Sequence, residues 1–289
     1  MLDQATKRKL LSAQRAEITE HFIYEKLSLS TKDPHNKGIL KRISSDELEH
    51  HNVWKEYTGE DVKPDRLKIW VYYLISRILG LTFGIKLMER GEEQAQETYQ
   101  EISKVVPAAK DIAREEDEHE KQLIGLIDEE RLKYTGDIVR GMNVALVELT
   151  GVLAGLTLAI PNTRLILTVG LITGIAMTLS LASTEYLATR TGEGIRSPFK
   201  AVVYAGLANI FTVLFLVFPY FIFTNIYFSL GLMLLNAIIV IFLFSFYISV
   251  TKDISFWKRF PEMVLISLGV AALAFGIGLL ARIFLHVEI

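Results

Sequence analysis

Residues 201–251 contain not one Asp, Glu, Lys or Arg. A helix of about 20 apolar residues crosses the hydrocarbon core of a bilayer, so this run is long enough for two crossings. Pro219 and Asn225 interrupt it near its middle, which predicts two membrane helices in a hairpin, at about 201–223 and 226–250. A chain with this feature must lie partly in a membrane.

Three further apolar segments have the length of a membrane span, at about 138–160, 165–187 and 262–285. Residues 137–289 carry 16 charged side chains, whereas the shorter segment 1–136 carries 48. Two surroundings are therefore expected, water for residues 1–136 and lipid for residues 137–289. The sequence predicts an all-α protein of two domains, with five transmembrane helices in the second.

Basic residues predict the direction of crossing, because short cytoplasmic loops retain Lys and Arg. They precede the first span and follow the second and fourth spans, at Arg131, Lys133, Arg140, Arg190, Arg196, Lys200, Lys252, Lys258 and Arg259. This pattern places the first domain in the cytoplasm and the C-terminus outside, in the inner membrane of the cell. The N-terminal residues lack the apolar core of a secretory signal, which agrees with a cytoplasmic first domain.

Composition excludes several kinds of function. The chain has no cysteine, so disulfides, thiolate metal sites and thiol catalysis are absent, and any bound metal must be held by His, Asp or Glu. The net charge of −2 and the absence of a basic cluster argue against nucleic acid as a partner, because phosphate binding needs concentrated positive charge.

Breaks in residues 1–136 predict four helices, at about 4–31, 34–58, 66–105 and 107–134. Capping residues and prolines mark the breaks, namely Asp33-Pro34, Gly59, Pro64-Asp65 and Pro107. Four helices of this length predict a four-helix bundle.

Two of these helices carry the same motif, Glu47-x-x-His50 on the second and Glu116-x-x-His119 on the fourth. The three-residue step puts both side chains of a motif on one helix face. A bundle with this motif on two helices and a Glu on each of the others encloses two metal ions, and its O/N ligands suit iron or manganese. The predicted metal ligands are Glu17, Glu47, His50, Glu89, Glu92, Glu116 and His119.

Neighbouring residues leave alternatives. Glu20 could replace Glu17, since either could point inward. His51 competes with His50, although only His50 keeps the three-residue step. The other acidic residues near the motifs read as a solvated face, namely Glu49, Glu115, Glu118 and Glu120.

The apolar segment 67–88 fits the four-helix interpretation less well. It is predicted to belong to the third helix, either buried against the bundle or resting on the bilayer surface with Trp70, Tyr72 and Tyr73 as interfacial anchors. A sixth membrane span is the alternative, although Lys68, Arg77 and Lys86 interrupt the segment.

Polar side chains inside the predicted spans are candidates for an ion path, because an ionisable group in lipid is costly. Two are carboxylates, Glu148 and Glu185, and three are amides, Asn143, Asn209 and Asn236. The alternative is a hydrogen bond between helices, which is common for Asn.

The motifs carry a resemblance to known families. Residues 1–136 resemble a rubrerythrin-type, ferritin-like domain in Glu17-x₆-Tyr24, Glu89-x-x-Glu92 and the two Glu-x-x-His motifs. Residues 137–289 resemble the vacuolar iron transporter family through segments 141–157 and 170–190. The fusion is similar to the membrane-bound ferritins of prokaryotes.

The resemblance implies a homodimer that exports iron(II) or manganese(II) from the cytoplasm. A di-iron domain holding two ions would capture, sense or oxidise the metal, and the transport path would include Glu148, Glu185, Asn143 and Met177. Two positions depart from the family, with Val144 in place of a path Asp and Leu181 in place of a Met. A membrane-anchored di-iron peroxidase or ferroxidase without transport is the alternative.

Overall fold

The computed structural model describes residues 4–88, 90, 102–103, 106–126, 133–160, 162–192 and 197–284. These residues form helices joined by turns and loops, with no strand among them, which confirms the all-α prediction. The chain divides into two compact units, Met1–Glu129 and Glu130–Ile289.

The helices of the first unit are α1 (Gln4–Ser30), α2 (Pro34–Thr58), α3 (Arg66–Leu79) and α4 (Ala108–Leu126). The capping signals of the sequence account for their ends. The Asp33 carboxylate accepts a hydrogen bond from the Asn36 N–H at 2.8 Å where α2 begins. Gly59 adopts φ 67° and donates its N–H to the carbonyl of Lys55, which ends α2. Asp65 caps α3 in the same way as Asp33 caps α2.

The prediction of one continuous helix over 66–105 is wrong in its first part. Helix α3 ends at Leu79, and residues 81–88 form a separate helical segment. Gly80 lies between them with φ 112° and ψ 151°, a conformation that residues with a Cβ rarely adopt. The sequence contains Gly80, but it does not reveal this backbone conformation. The described residues do not establish the predicted four-helix bundle.

Helices α1 and α2 run antiparallel, and side-chain hydrogen bonds fix their register. The Thr58 hydroxyl donates to Oε1 of Gln14 at 2.8 Å near one end, and the hydroxyl of Ser44 donates to the carbonyl of His21 at 3.0 Å further along. Helix α3 packs on α1, and α4 packs on α2. The pairing of α1 with α2 places the residues of the functional site opposite one another.

The second unit holds α5 (Thr135–Ala159), α6 (Thr163–Thr191), α7 (Pro198–Ile222), α8 (Ile226–Lys252) and α9 (Phe256–Phe284). Each is long and apolar enough to cross a membrane, which confirms the five predicted apolar helices. Their ends agree with the sequence-based ones within a few residues, except that α9 begins at Phe256. The direction of crossing stays a prediction.

Small residues allow close helix packing in this unit. A Cβ on Gly278 of α9 would collide with the backbone of Gly155 in α5, so the two helices meet backbone to backbone. Two polar residues join helices by hydrogen bonds to main-chain carbonyls. The Asn209 amide donates to Gly141 at 2.9 Å, and the Asn236 amide donates to Phe215 at 2.8 Å. Both amides therefore contribute to packing.

Candidate metal centre

The polar site of the first unit lies between two apolar clusters. One consists of Ile23, Tyr24, Leu27, Ile39, Leu40, Ile43, Ile85, Met88 and Leu123, and the other of Leu10, Trp54, Ile102, Val106, Ala109 and Ile112. Along α1, α2 and α4 in turn, the candidate ligands fall between residues of these two clusters. The site is therefore a polar layer within an otherwise apolar interior.

Four side chains from α1, α2 and α4 converge in this layer. Glu17, Glu47, His50 and Glu116 each offer one ligand atom, and these atoms lie within 4.8 Å of one another. Nδ1 of His50 lies 2.8 Å from Oε1 of Glu116 and 3.4 Å from Oε2 of Glu47. Glu17, from α1, lies 3.7 Å from the same nitrogen through its Oε2.

His119 joins this group from α4. Its Nδ1 lies 3.4 Å from Oε1 of Glu47 and 3.9 Å from Oε2 of Glu116. The imidazole rings of His50 and His119 stack with centroids 5.8 Å apart. The two Glu-x-x-His motifs therefore face each other across the layer, and each imidazole presents Nδ1 to the carboxylates.

The outer nitrogens of the two imidazoles meet carboxylates on the opposite helix. Nε2 of His119 lies 3.0 Å from Oδ2 of Asp46, and Nε2 of His50 lies 3.0 Å from Oε2 of Glu115. A carboxylate behind a ligating imidazole fixes the ring and its tautomer. Sequence reasoning missed Asp46 and assigned Glu115 to a solvated face. The available signal was an acidic residue directly before each Glu-x-x-His motif.

The alternatives left by the sequence take different positions. Glu17 is 1% exposed and accepts a hydrogen bond from Nε1 of Trp54 at 2.9 Å. Glu20 is only half-buried, although its charge contributes to the raised pKa of Glu47. Nδ1 of His51 lies 3.0 Å from the carbonyl oxygen of Gln14, outside the group of four. Glu89 and Glu92 lie outside the described residues.

Burial and crowding shift the protonation of the site. Burial raises the pKa of the Glu116 carboxyl from 4.5 to about 8, and the neighbouring Glu47 charge adds to the shift. Burial also raises the pKa of Glu47 well above its ordinary value, against the opposing effect of His50. Burial alone would lower the pKa of His50, but contacts with the carboxylates, of which Glu116 contributes most, raise that pKa by more.

The donor set fits a metal ion. Among the described residues, four buried ligand atoms have no hydrogen-bond partner, namely Oε2 of Glu47, Nδ1 of His50, Oε1 of Glu116 and Nδ1 of His119. The approach of His50 to Glu116 is short but lacks hydrogen-bond geometry. Buried polar atoms that are not hydrogen-bonded need a partner, and a cation between these atoms would serve all four. Carboxylate oxygens with imidazole nitrogens suit divalent iron and manganese.

The polar residues predicted for the membrane path lie in different surroundings. Glu185 of α6 is buried, and its Oε1 lies 2.7 Å from Nε of Arg140. Glu148 is exposed and lies in a five-residue π-helical turn of α5, Ala145–Leu149. Asn143 and Met177 are half-buried. Within the described part of the second unit, no three acidic or imidazole side chains come close enough together to hold a metal ion.

Comparisons of the chain with protein-family models, with curated proteins and with solved structures find no match.

Proposed function

We propose that this protein exports iron(II) or manganese(II) across the inner membrane, and that its first unit is a cytoplasmic ferritin-like domain that captures the metal. The observation that carries the proposal is the convergence of Glu17, Glu47, His50 and Glu116 in a buried layer of a chain with five apolar helices. A metal-binding site joined to a membrane-spanning body supports delivery of an ion to the membrane.

The first unit would hold two metal ions, as the resemblance to rubrerythrin-type domains implies. His50 and His119 would bind through Nδ1, while Asp46 and Glu115 keep the two rings in place from behind. The carboxylates of Glu47 and Glu116 lie near both imidazoles and would hold the ions together with them. Bound iron would supply one-electron chemistry toward dioxygen or peroxide.

The second unit, here called the membrane unit, would carry the transported metal ion along a path that begins at carboxylate side chains. Glu148 is the stronger candidate, because π-helical turns recur at functional sites and its side chain is exposed on a membrane helix. A carboxylate facing lipid is costly, so a second copy of the chain is expected against this face. This supports a homodimer whose metal path passes between the two copies.

Metal flux tests the proposal directly. We expect purified full-length protein in proteoliposomes to move Fe²⁺ or Mn²⁺, measured with a metal-quenched dye inside the vesicles. Glu148→Gln removes the charge but keeps the size of the side chain, and should abolish most of the flux. Glu262→Gln is the control, because it makes the same substitution at an exposed position of α9 and should leave the flux unchanged.

Two results would contradict the proposal. Flux equal to that of empty vesicles would remove transport altogether. Flux unchanged by Glu148→Gln would leave transport but remove Glu148 from the path.

A second function is favoured by one specific observation. The pairing of Glu185 with Arg140 gives this carboxylate a cation from the protein itself, which is expected of a structural role. A membrane-anchored di-iron ferroxidase or peroxidase would need no transport path. Oxidation of Fe²⁺ by full-length protein in vesicles that show no flux, and its loss in Glu47→Ala, would support this alternative.

A further inference from the structure

Helix α3 is apolar on two opposite sides, and only one side is covered. Ile69, Tyr72 and Tyr73 pack against an apolar cluster of the first unit, as their spacing along a helix requires. The opposite face is exposed to solvent. Its side chains are between 42% and 74% exposed and recur in steps of three or four residues, namely Leu67, Trp70, Val71, Leu74 and Ile78. We call this set the α3 face.

The charged residues within α3 all have one sign. Arg66 and Arg77 flank the α3 face on one side and Lys68 on the other, and all three are exposed. The sequence of α3 contains no acidic residue. Lys26 of α1 adds a further positive charge, with its Nζ 4.0 Å from the centre of the Trp70 ring. The α3 face is thus an apolar strip with basic margins.

Electrostatics decides which partner fits this strip. A contiguous exposed apolar patch on a helix is typical of an interaction surface. A second copy of the chain would bring basic margins against basic margins, with no acid on α3 to offset them. Anionic lipid headgroups supply the opposite charge, and the acyl region beneath them accepts the apolar side chains. Trp70 is also a residue type enriched at the membrane interface.

We propose that the α3 face binds the surface of an anionic phospholipid bilayer, with the helix axis in the plane of the membrane. The five apolar helices of the same chain keep the first unit close to a bilayer, so the contact needs no separate recruitment. Leu67, Leu74 and Ile78 would enter the boundary between headgroups and acyl chains. Arg66 and Lys68 would lie beside lipid phosphates. This inference does not depend on metal transport.

The absence of cysteine makes a site-specific label straightforward. Leu74→Cys carries a nitroxide in the middle of the α3 face, and Lys41→Cys carries the same label on an exposed position of α2. Full-length protein is placed in nanodiscs of phosphatidylcholine with phosphatidylglycerol. Electron paramagnetic resonance then compares collisions of each label with oxygen, which prefers lipid, and with a nickel chelate, which stays in water.

We expect the label at position 74 to favour collisions with oxygen and the label at position 41 to favour the nickel chelate. Equal preference for the chelate at both positions would overturn the proposal. Dipolar broadening between two labels at position 74, persisting in detergent without lipid, would also overturn it, because a second copy would then cover the face.

A charge variant tests the anionic part of the proposal. Each basic residue near an anionic surface contributes about fivefold to membrane partitioning, so Arg66→Gln with Lys68→Gln should lower the ratio of lipid-bound to water-exposed label about 30-fold. The ratio is measured at the salt concentration where the unsubstituted face is half bound. Lys37→Gln with Lys41→Gln on α2 is the matched control and should leave the ratio unchanged. Equal ratios in the two double variants would contradict the role of anionic lipid.

Discussion

Nε of Arg140 in α5 lies 2.7 Å from Oε1 of Glu185 in α6. The Glu185 side chain is 1% exposed, whereas that of Arg140 is about half exposed. The guanidinium also lies 3.6 Å from Oδ1 of Asp137, whose side chain is fully buried. Arg140 therefore supplies positive charge to two buried carboxylates near one end of the membrane unit. A pair of this kind is costly to break, because the buried partner then loses the charge that offsets its own.

Removing the guanidinium should destabilise the membrane unit. We expect Arg140→Gln to lower the stability by about 3 kcal/mol, since loss of one partner of a buried pair costs roughly that much. The midpoint of thermal unfolding in detergent measures the effect. Arg190→Gln is the control, because Arg190 is exposed at the end of α6, the helix that carries Glu185. Its guanidinium lies 6.0 Å from the Tyr186 ring, an interaction worth about 1 kcal/mol or less.

A double variant of Arg140 and Glu185 distinguishes whether Arg140 stabilises the protein through its charge or through the bulk of its side chain. If the cost comes from charge, Glu185→Gln together with Arg140→Gln should recover part of the stability lost in Arg140→Gln. A double variant that is less stable than either single variant would contradict this account.

Two glycines of α9 should respond differently to the same substitution. A Cβ at position 278 would meet the backbone of Gly155, which cannot move aside as a flexible side chain can, so Gly278→Ala should destabilise by about 1 to 3 kcal/mol. Within the described part of the chain, a Cβ at position 276 would meet no atom within 4 Å beyond its own helix backbone and chain neighbours. Gly276→Ala should therefore be neutral or slightly stabilising, since Ala favours helix more than Gly does. Thermal unfolding in detergent compares the two, and equal losses would contradict the packing described for α5 and α9.

The carboxylates behind the two imidazoles should control metal affinity rather than the number of ions bound. Asp46→Asn and Glu115→Gln keep the size of each side chain but weaken its hold on Nε2 of His119 or His50. Such changes cost about 10- to 100-fold in metal affinity. Titration of full-length protein with Mn²⁺ should show the weaker binding at unchanged stoichiometry.

Matched acidic residues on the same helices provide the control for that titration. Glu49→Gln on α2 and Glu118→Gln on α4 remove exposed carboxylates and should leave the affinity within about twofold, because exposed pairs contribute little. Equal losses in all four variants would indicate a general effect of acidity and would contradict the pairing of each imidazole with its own carboxylate.

The sequence predicts features that depend on one helix at a time. The apolar length of each membrane span, the caps at Asp33 and Asp65, and the three-residue step of Glu47 and His50 are local, and spacing along one helix is enough to find them. A cytoplasmic location and metal transport go beyond such spacing and stay predictions.

Features that join two helices could not be predicted from one sequence. The contact of Asp46 with His119 requires the register of α2 against α4, and the contact of Arg140 with Glu185 requires that of α5 against α6. Glu17 and Glu20 are three residues apart, so helical periodicity places both on the same face of α1. The hydrogen bond from Trp54 to Glu17 shows which of the two points into the site. The break at Gly80 depends on a backbone angle that glycine permits but does not impose.

Protonation of the metal-free site should make its stability depend on pH. The pKa of Glu116 is raised from 4.5 to about 8, so the folded protein keeps a proton that the unfolded chain loses. This stabilisation is complete below about pH 4.5 and is lost as the pH rises through about 8. Chelator-treated protein should therefore lose stability to heat across this range more steeply than Glu116→Gln, which carries no proton to lose. Parallel profiles for the two proteins would contradict the assignment.

Metal binding should release the same proton. A carboxyl group must ionise before it ligates a cation, so binding below about pH 8 displaces a proton from Glu116. The affinity for Mn²⁺ should rise with pH up to about 8, by about tenfold per pH unit for each proton released. Calorimetric titrations in two buffers of different ionisation enthalpy count the protons directly. Glu49→Gln should release as many protons as the unsubstituted protein, whereas Glu116→Gln should release fewer. An affinity that does not change between about pH 6 and 8 would mean that the carboxylates are already ionised in the metal-free protein, contrary to the crowding of Glu47 and Glu116 in the buried layer.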